Sequence, residues 1–141
     1  MKIEGHYFFK NGNWIGKIDL LDVLEISTQS SEDLFIRIKF HLASIFAHSK
    51  KTINETDFFI EVIDEVRFFV KFKNMKLAAS TIFKSIRNKE KISQIKLASK
   101  LNCATSSYSQ YEETKKEPTL SKFSEVLECM GYEWLLVLKK Q

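Results

Sequence analysis

Apolar and polar positions alternate through the first half of the chain and recur every three or four residues through the second. The runs "IEGHYFFK" and "WIGKIDLL" flank Asn11-Gly12-Asn13, a turn signal in which Gly and Asn tolerate positive φ. "VLEISTQ" alternates next, with Leu24 and Ile26 on one face against Glu25 and Ser27 on the other. Ser30-Ser31-Glu32-Asp33 marks a helix start, with hydroxyl caps followed by carboxylates at the positive end of the dipole. That helix is predicted to run to about His48. Its apolar stripe is Phe35, Ile38, Leu42 and Ile45, and its polar one is Arg37, His41, Ser44 and His48. "FFIEVID" and "EVRFFVKF" alternate again. The order β-β-β-α-β, with room for one more strand, predicts an α+β domain over residues 1–74.

From residue 75 the period is helical, with Leu77, Ile82, Phe83 and Ile86 at the right spacing. Ser93 can cap a second helix, for which Ile92 and Leu97 form a hydrophobic staple. This helix stops at Asn102, a residue that accepts the left-handed conformation at modest cost. A third starts near Thr105. Pro118 then interrupts, Thr119 can cap, and Leu120, Phe123, Leu127 and Met130 line a fourth helix ending at Gly131. The closing run "EWLLVLKK" is predicted as a strand. Residues 75–141 thus form a second, all-α domain with a short C-terminal strand.

Charge divides at the same place. Residues 1–74 hold ten Lys/Arg against eleven Asp/Glu, and residues 75–141 hold twelve against seven. The positive balance of the second half points to an anionic partner, nucleic acid being the commonest. The first residues mix charge with apolar groups, and no apolar run is long enough to span a bilayer, so neither secretion nor membrane insertion is expected. Cys103 and Cys129 make no CxxC pair and read as small buried thiols. A cytoplasmic protein is the simplest expectation.

The segment after Asn102 carries little apolar weight for a helix. Two short helices joined by a tight turn, with small Ala98 at the closest approach, match a helix-turn-helix. The outward face of the second helix then lies in the major groove, where short polar groups reach base edges. Thr105, Ser106, Ser109 and Gln110 meet that need, and Gln110 can pair with adenine N6 and N7. Tyr108 and Tyr111 are left for the core. No catalytic residue, metal site or cofactor is expected. Asp19, Glu25, Asp57, Glu61 and Asp64 read as solvent-facing rather than converging on metal. His41 and His48 stand two turns apart, about 10 Å by helical rise, and His6 has no nucleophile identifiable beside it.

Residues from about Leu77 to Tyr132 resemble the helix-turn-helix of the phage-repressor (XRE) family, with Gln94, Leu97, Ala98, Tyr108, Glu112 and Pro118 at the family spacing. The resemblance implies that Ser93 and Gln94 hold a phosphate at the start of the second helix. It also implies that Thr105, Ser106 and Gln110 face bases, and that Lys115 and Lys116 touch the backbone beyond. Glu112 matches a glutamate that pairs structurally with an arginine of the first helix, here Arg87. Asn102 stands where the family has glycine, Ala104 where it has a capping hydroxyl, and Thr114 where it has Gly or Asn.

The first half resembles the HicB antitoxin family through element order and through "NGNWIGKIDLLDVLEISTQSSEDL" and "FFIEV", although Leu20-Leu21-Asp22 replaces its Pro-rich signature. This resemblance implies a degenerate RNase H-like domain that blocks a small basic HicA-like RNA-cleaving toxin. It implies further that the second half represses its own operon on operator DNA. Residues 133–138 would pair two chains as a homodimer, with assembly into tetramers left open. Two other readings stand beside it: a stand-alone XRE-family repressor with a different N-terminal partner or ligand, and a metal-dependent nuclease.

Overall fold

The computed structural model describes residues 1–18, 25–48 and 52–135. Leu24 and Asp19 lie outside them. Strand β1 (Lys2–Lys10) and strand β2 (Asn13–Lys17) pair antiparallel, with Lys10 opposite Asn13. The two residues between them, Asn11 and Gly12, have φ of 52° and 80°. A loop with positive φ at both positions carries the twist that flanking strands need. Strand β3 (Glu25–Thr28) pairs with β2. Helix α1 (Ser31–Ser44) follows, with the Ser30 hydroxyl accepting from Asp33 N at 3.1 Å. After a 3-10 turn at Glu55–Asp57, strands β4 (Phe58–Val62) and β5 (Arg67–Phe72) form a second hairpin.

The sheet order is β3-β2-β1-β5-β4, and every neighbouring pair is antiparallel. The chain therefore leaves the sheet at one edge, crosses through α1, and re-enters at the other. β4 fills that edge, and β5 fits between it and central β1. Ile3, Tyr7, Phe58, Phe68 and Val70 face α1 and meet Leu34, Ile38, Leu42 and Phe46 in a dry core. Gly5 stands opposite Phe68, and a Cβ there would lie 2.3 Å from the ring. Only the absence of a side chain lets the phenyl group cross β1.

α1 is shorter than its sequence pattern predicts. It ends at Ser44, whose hydroxyl donates to His41 O, and residues 46 and 47 close back by three residues rather than four. The apolar stripe is also rotated. Leu34, Ile38 and Leu42 point inward, while Phe35 and Ile45 lie half-buried at its border.

The second half contains α2 (Met75–Lys89), α3 (Gln94–Lys100), α4 (Thr105–Glu112) and α5 (Leu120–Cys129). Side-chain caps from Asn74, Ser93 and Thr119 start α2, α3 and α5. Leu77, Ile82, Phe83 and Ile86 of α2 pack with Leu97, Tyr108, Phe123, Val126 and Leu127. Leu120, expected in the core, is exposed. The inward face of α5 runs through Phe123, Val126, Leu127 and Met130, and Leu120 precedes it at the helix's first, solvent-facing position. The thiols of Cys103 and Cys129 are free and half-buried rather than fully enclosed. The strand expected over residues 133–138 is not formed at residues 133–135. Trp134 instead turns onto Phe123 in an edge-to-face contact at 5.6 Å, and residues 136–138 lie outside those described. Among the described residues no helix is long and apolar enough to cross a membrane.

Candidate nucleic-acid interface

α3 and α4 are separated by only four residues, and the geometry of that turn is fixed locally. Cys103 N donates to Ala98 O at 3.0 Å while Asn102 takes the left-handed φ of 50°. Asparagine tolerates this conformation better than most residues, because its short polar group can bond locally. Ala104 caps α4 through its backbone alone. Its carbonyl accepts from Ser107 and Tyr108, and no side chain contributes. Thr114, beyond the C-terminus of α4, is left-handed at φ 58°.

Three residues hold α4 in place: Tyr108, Tyr111 and Glu112 are buried. The opposite face is open. Ser106, Ser107 and Gln110 are exposed, and Thr105 and Ser109 are partly so. Ser109 donates its hydroxyl proton to Ser106 O at 3.1 Å, which leaves its oxygen as an acceptor. The Gln110 carboxamide is uncommitted among the described residues. Ser107, which the sequence pattern did not single out, is exposed beside the expected base-facing residues Ser106 and Ser109. Lys96 is exposed in the first turn of α3.

Beneath this face lies a closed polar network. Arg87 grips Glu112 in bidentate fashion, Nε to Oε1 at 2.6 Å and Nη2 to Oε2 at 2.9 Å, and sends Nη1 to Ile92 O at 2.9 Å. Tyr108 OH donates to Glu112 Oε1 at 2.6 Å, and Gln94 Nε2 donates to Oε2 at 2.8 Å. The Ser80 hydroxyl donates to Glu112 O at 2.6 Å. Burial alone would raise the Glu112 carboxyl, but bonds from Arg87, Tyr108 and Gln94 outweigh it and hold the pKa below the ordinary value. The Tyr108 phenol is pushed up by burial and by the adjacent carboxylate. A buried charge is tolerable only when its lone pairs are taken up in this way.

The expected site residues thus fall into three places. Thr105, Ser106, Ser109 and Gln110 share one outward face. Arg87 and Glu112 meet underneath it. Gln94, expected to hold a phosphate, joins that network: one amide N–H engages Glu112, and an amide carries a second N–H. Ser93 accepts from Lys96 N at 3.1 Å and keeps its hydroxyl proton. Lys115 pairs with Glu113, and Lys116 lies over the Tyr111 ring at 5.5 Å, both exposed just past α4. Tyr108, expected to serve packing alone, also donates its hydroxyl to Glu112. Its spacing of four from Glu112 was the available sign of the hydrogen bond.

Residues 83–136 match the helix-turn-helix family. The match starts within α2, runs past α5, and takes in every member of the network except Ser80. This segment is a helix-turn-helix domain of the XRE type, the kind that binds DNA in transcription regulators. The match does not extend to the sheet, which leaves the first domain without a family assignment. No curated protein matches the chain.

The carboxylates of the first half are engaged separately. Asp57 is not solvent-facing as expected. It is buried in the 3-10 turn, accepting from Asn54 N at 3.0 Å and Lys73 Nζ at 2.8 Å. Glu61 is held by Lys2 and Lys71, and Asp64 by Arg67. Among the described residues no group of three or more His, Cys, Asp or Glu is placed to hold a metal ion.

Proposed function

We propose that this chain is a cytoplasmic transcriptional repressor that reads operator DNA with α4, and that its sheet domain binds a protein partner as an antitoxin does. The DNA half rests on one observation: α4 is anchored by Tyr108, Tyr111 and Glu112, so Thr105, Ser106, Ser109 and Gln110 are free to meet base edges. Ser93, Gln94, Lys115 and Lys116 flank that face and serve the phosphates. A mobility-shift titration against its own promoter and against random DNA tests this. Equal affinity for both at physiological salt would sink it.

The antitoxin half is supported by the resemblance to HicB and by Ile36 and Phe40 of α1, which are 48% and 54% exposed on the helix side away from the sheet. Such residues offer an apolar contact for a small basic HicA-like toxin. On this reading the chain neutralises by binding and is not an enzyme. The test is co-expression with the small basic protein encoded beside it. Stable co-purification with relief of growth arrest is expected, while promoter binding without a complex leaves a stand-alone repressor.

A further inference from the structure

β4 is an edge strand whose backbone groups divide by parity. Ile63 N donates to Arg67 O at 2.9 Å, and Asp57 O accepts from Lys73 N at 3.0 Å. With Phe58 opposite Phe72 and Val62 opposite Phe68, antiparallel alternation directs residues 57, 59, 61 and 63 toward β5. Ile60 and Val62 therefore aim N–H and C=O away from the sheet, and none of the described residues bonds them. Phe58 shares this outward parity, but its N–H is held by Glu55 O and the residue is buried. Apolar side chains surround the two free residues. Phe59 is 52% exposed, Val62 51% and Ile63 41%. An open edge with apolar flanks is a template for another strand.

We propose that this edge pairs with β4 of a second copy of the chain, antiparallel across a two-fold axis at Glu61. In this register Ile60 faces Val62 of the second copy, and the pair exchanges both backbone bonds. Symmetry repeats the exchange, so four bonds satisfy all eight free groups. Phe59 meets Ile63 of the second copy on the sheet face away from α1, an aromatic against a β-branched side chain. The exposed residues of one edge are thus complements of each other, which argues for a second copy over a foreign strand. The unfavourable contact is Glu61 against its own mate. Lys2 and Lys71 hold each Glu61 at 2.9 and 2.8 Å, so four ammonium groups surround two carboxylates there. Neighbouring registers fail. Centring on Ile60 requires the engaged N–H of Phe58, and centring on Val62 requires that of Asp64, which donates to Arg67 O at 3.4 Å.

The test uses the full chain with Cys103→Ser and Cys129→Ser. Opposed residues of a non-hydrogen-bonded pair lie about 4.5 Å apart at Cα, within disulfide reach. Glu61→Cys in this background is expected to give a disulfide-linked dimer under mild oxidation, whereas Glu65→Cys stays monomeric. Val62→Pro removes only an outward N–H and spares the ladder to β5. It removes two of the four bonds and is expected to raise the dimer dissociation constant ~tenfold or more in sedimentation, with unchanged circular dichroism. Val62→Lys keeps the backbone N–H but sets an ammonium group on each side of the seam in place of an apolar contact, and is expected to weaken the dimer as well should the proline variant fold poorly. A wild-type chain that sediments as a monomer at high micromolar concentration overturns the proposal. So does a dimer that survives both Val62 changes without cross-linking through position 61.

Discussion

Gln94, the first residue of α3, and Glu112, the last of α4, are joined by a 2.8 Å hydrogen bond. The start of α3 is thereby tied to the end of α4, the helix proposed to meet the bases. Through Glu112 the same tie reaches Arg87 of α2, so three helices share one carboxylate.

Glu112→Ala leaves the Arg87 guanidinium with only Ile92 O and the Tyr108 hydroxyl without its carboxylate, in a nearly dry site. Breaking a buried pair from one side costs ~3–5 kcal/mol. Urea unfolding should show a loss of that order, and Arg87→Ala a comparable one. A loss below ~1 kcal/mol for both, the range of a surface pair, would show that the network is dispensable.

The same carboxylate makes stability pH-dependent. Its folded pKa is depressed, so the unfolded chain takes up the proton first as the medium is acidified. The contribution is complete above the ordinary carboxylate range, about pH 4–5, and disappears as pH falls through the lower, folded value. Urea melts from neutral pH downward should show a steep acid limb, and Glu112→Gln should flatten it.

On DNA the outward face and its flanks should separate cleanly. Gln110→Ala is expected to weaken the cognate operator by ~1–3 kcal/mol and relax preference at one base pair. Lys115→Ala should weaken all DNA alike and lower the salt slope by about one unit. Titrations at several salt concentrations, on cognate and scrambled duplexes, distinguish the two patterns.

In the sheet, Gly5→Ala would place a methyl against the Phe68 ring. Overpacking of this kind costs ~1–3 kcal/mol. Phe68→Leu opens the same space, so the double variant should be more stable than the sum of the two single losses. Strict additivity in thermal melts would show that strand spacing, not the ring, sets the fit.

Sequence made the local chemistry of the helical half readable. Ser93 and Thr119 are caps because hydroxyls precede helical runs, and Asn102 turns left-handed where the period breaks. The alternation in "FFIEVID" and "EVRFFVKF" marked two strands but carried no record of their neighbours. That β5, not β4, lies beside β1 depends on tertiary pairing. The stripe of α1 was misplaced because Phe35 and Ile45 are as apolar as Leu34 and Phe46, and only the sheet beneath decides which are covered. The terminal "EWLLVLKK" reads as a strand by composition, yet Trp134 packs edge-to-face on Phe123, a contact its alternation does not signal. Gln94 illustrates the remaining limit, since nothing in its spacing shows that its amide engages Glu112.

α4 keeps its anchors and its proposed reading positions on separate residues. Exchanging Thr105, Ser106, Ser109 or Gln110 touches neither Tyr108 and Tyr111 nor the carboxylate beneath them. On the proposed DNA reading, mutational drift at those four positions is nearly neutral for folding while it alters which operator is preferred. A DNA-reading scaffold arranged in this way can acquire a new target by a few surface substitutions, and grafting four residues from a helix-turn-helix protein of known operator onto it is a practical route to a redirected switch.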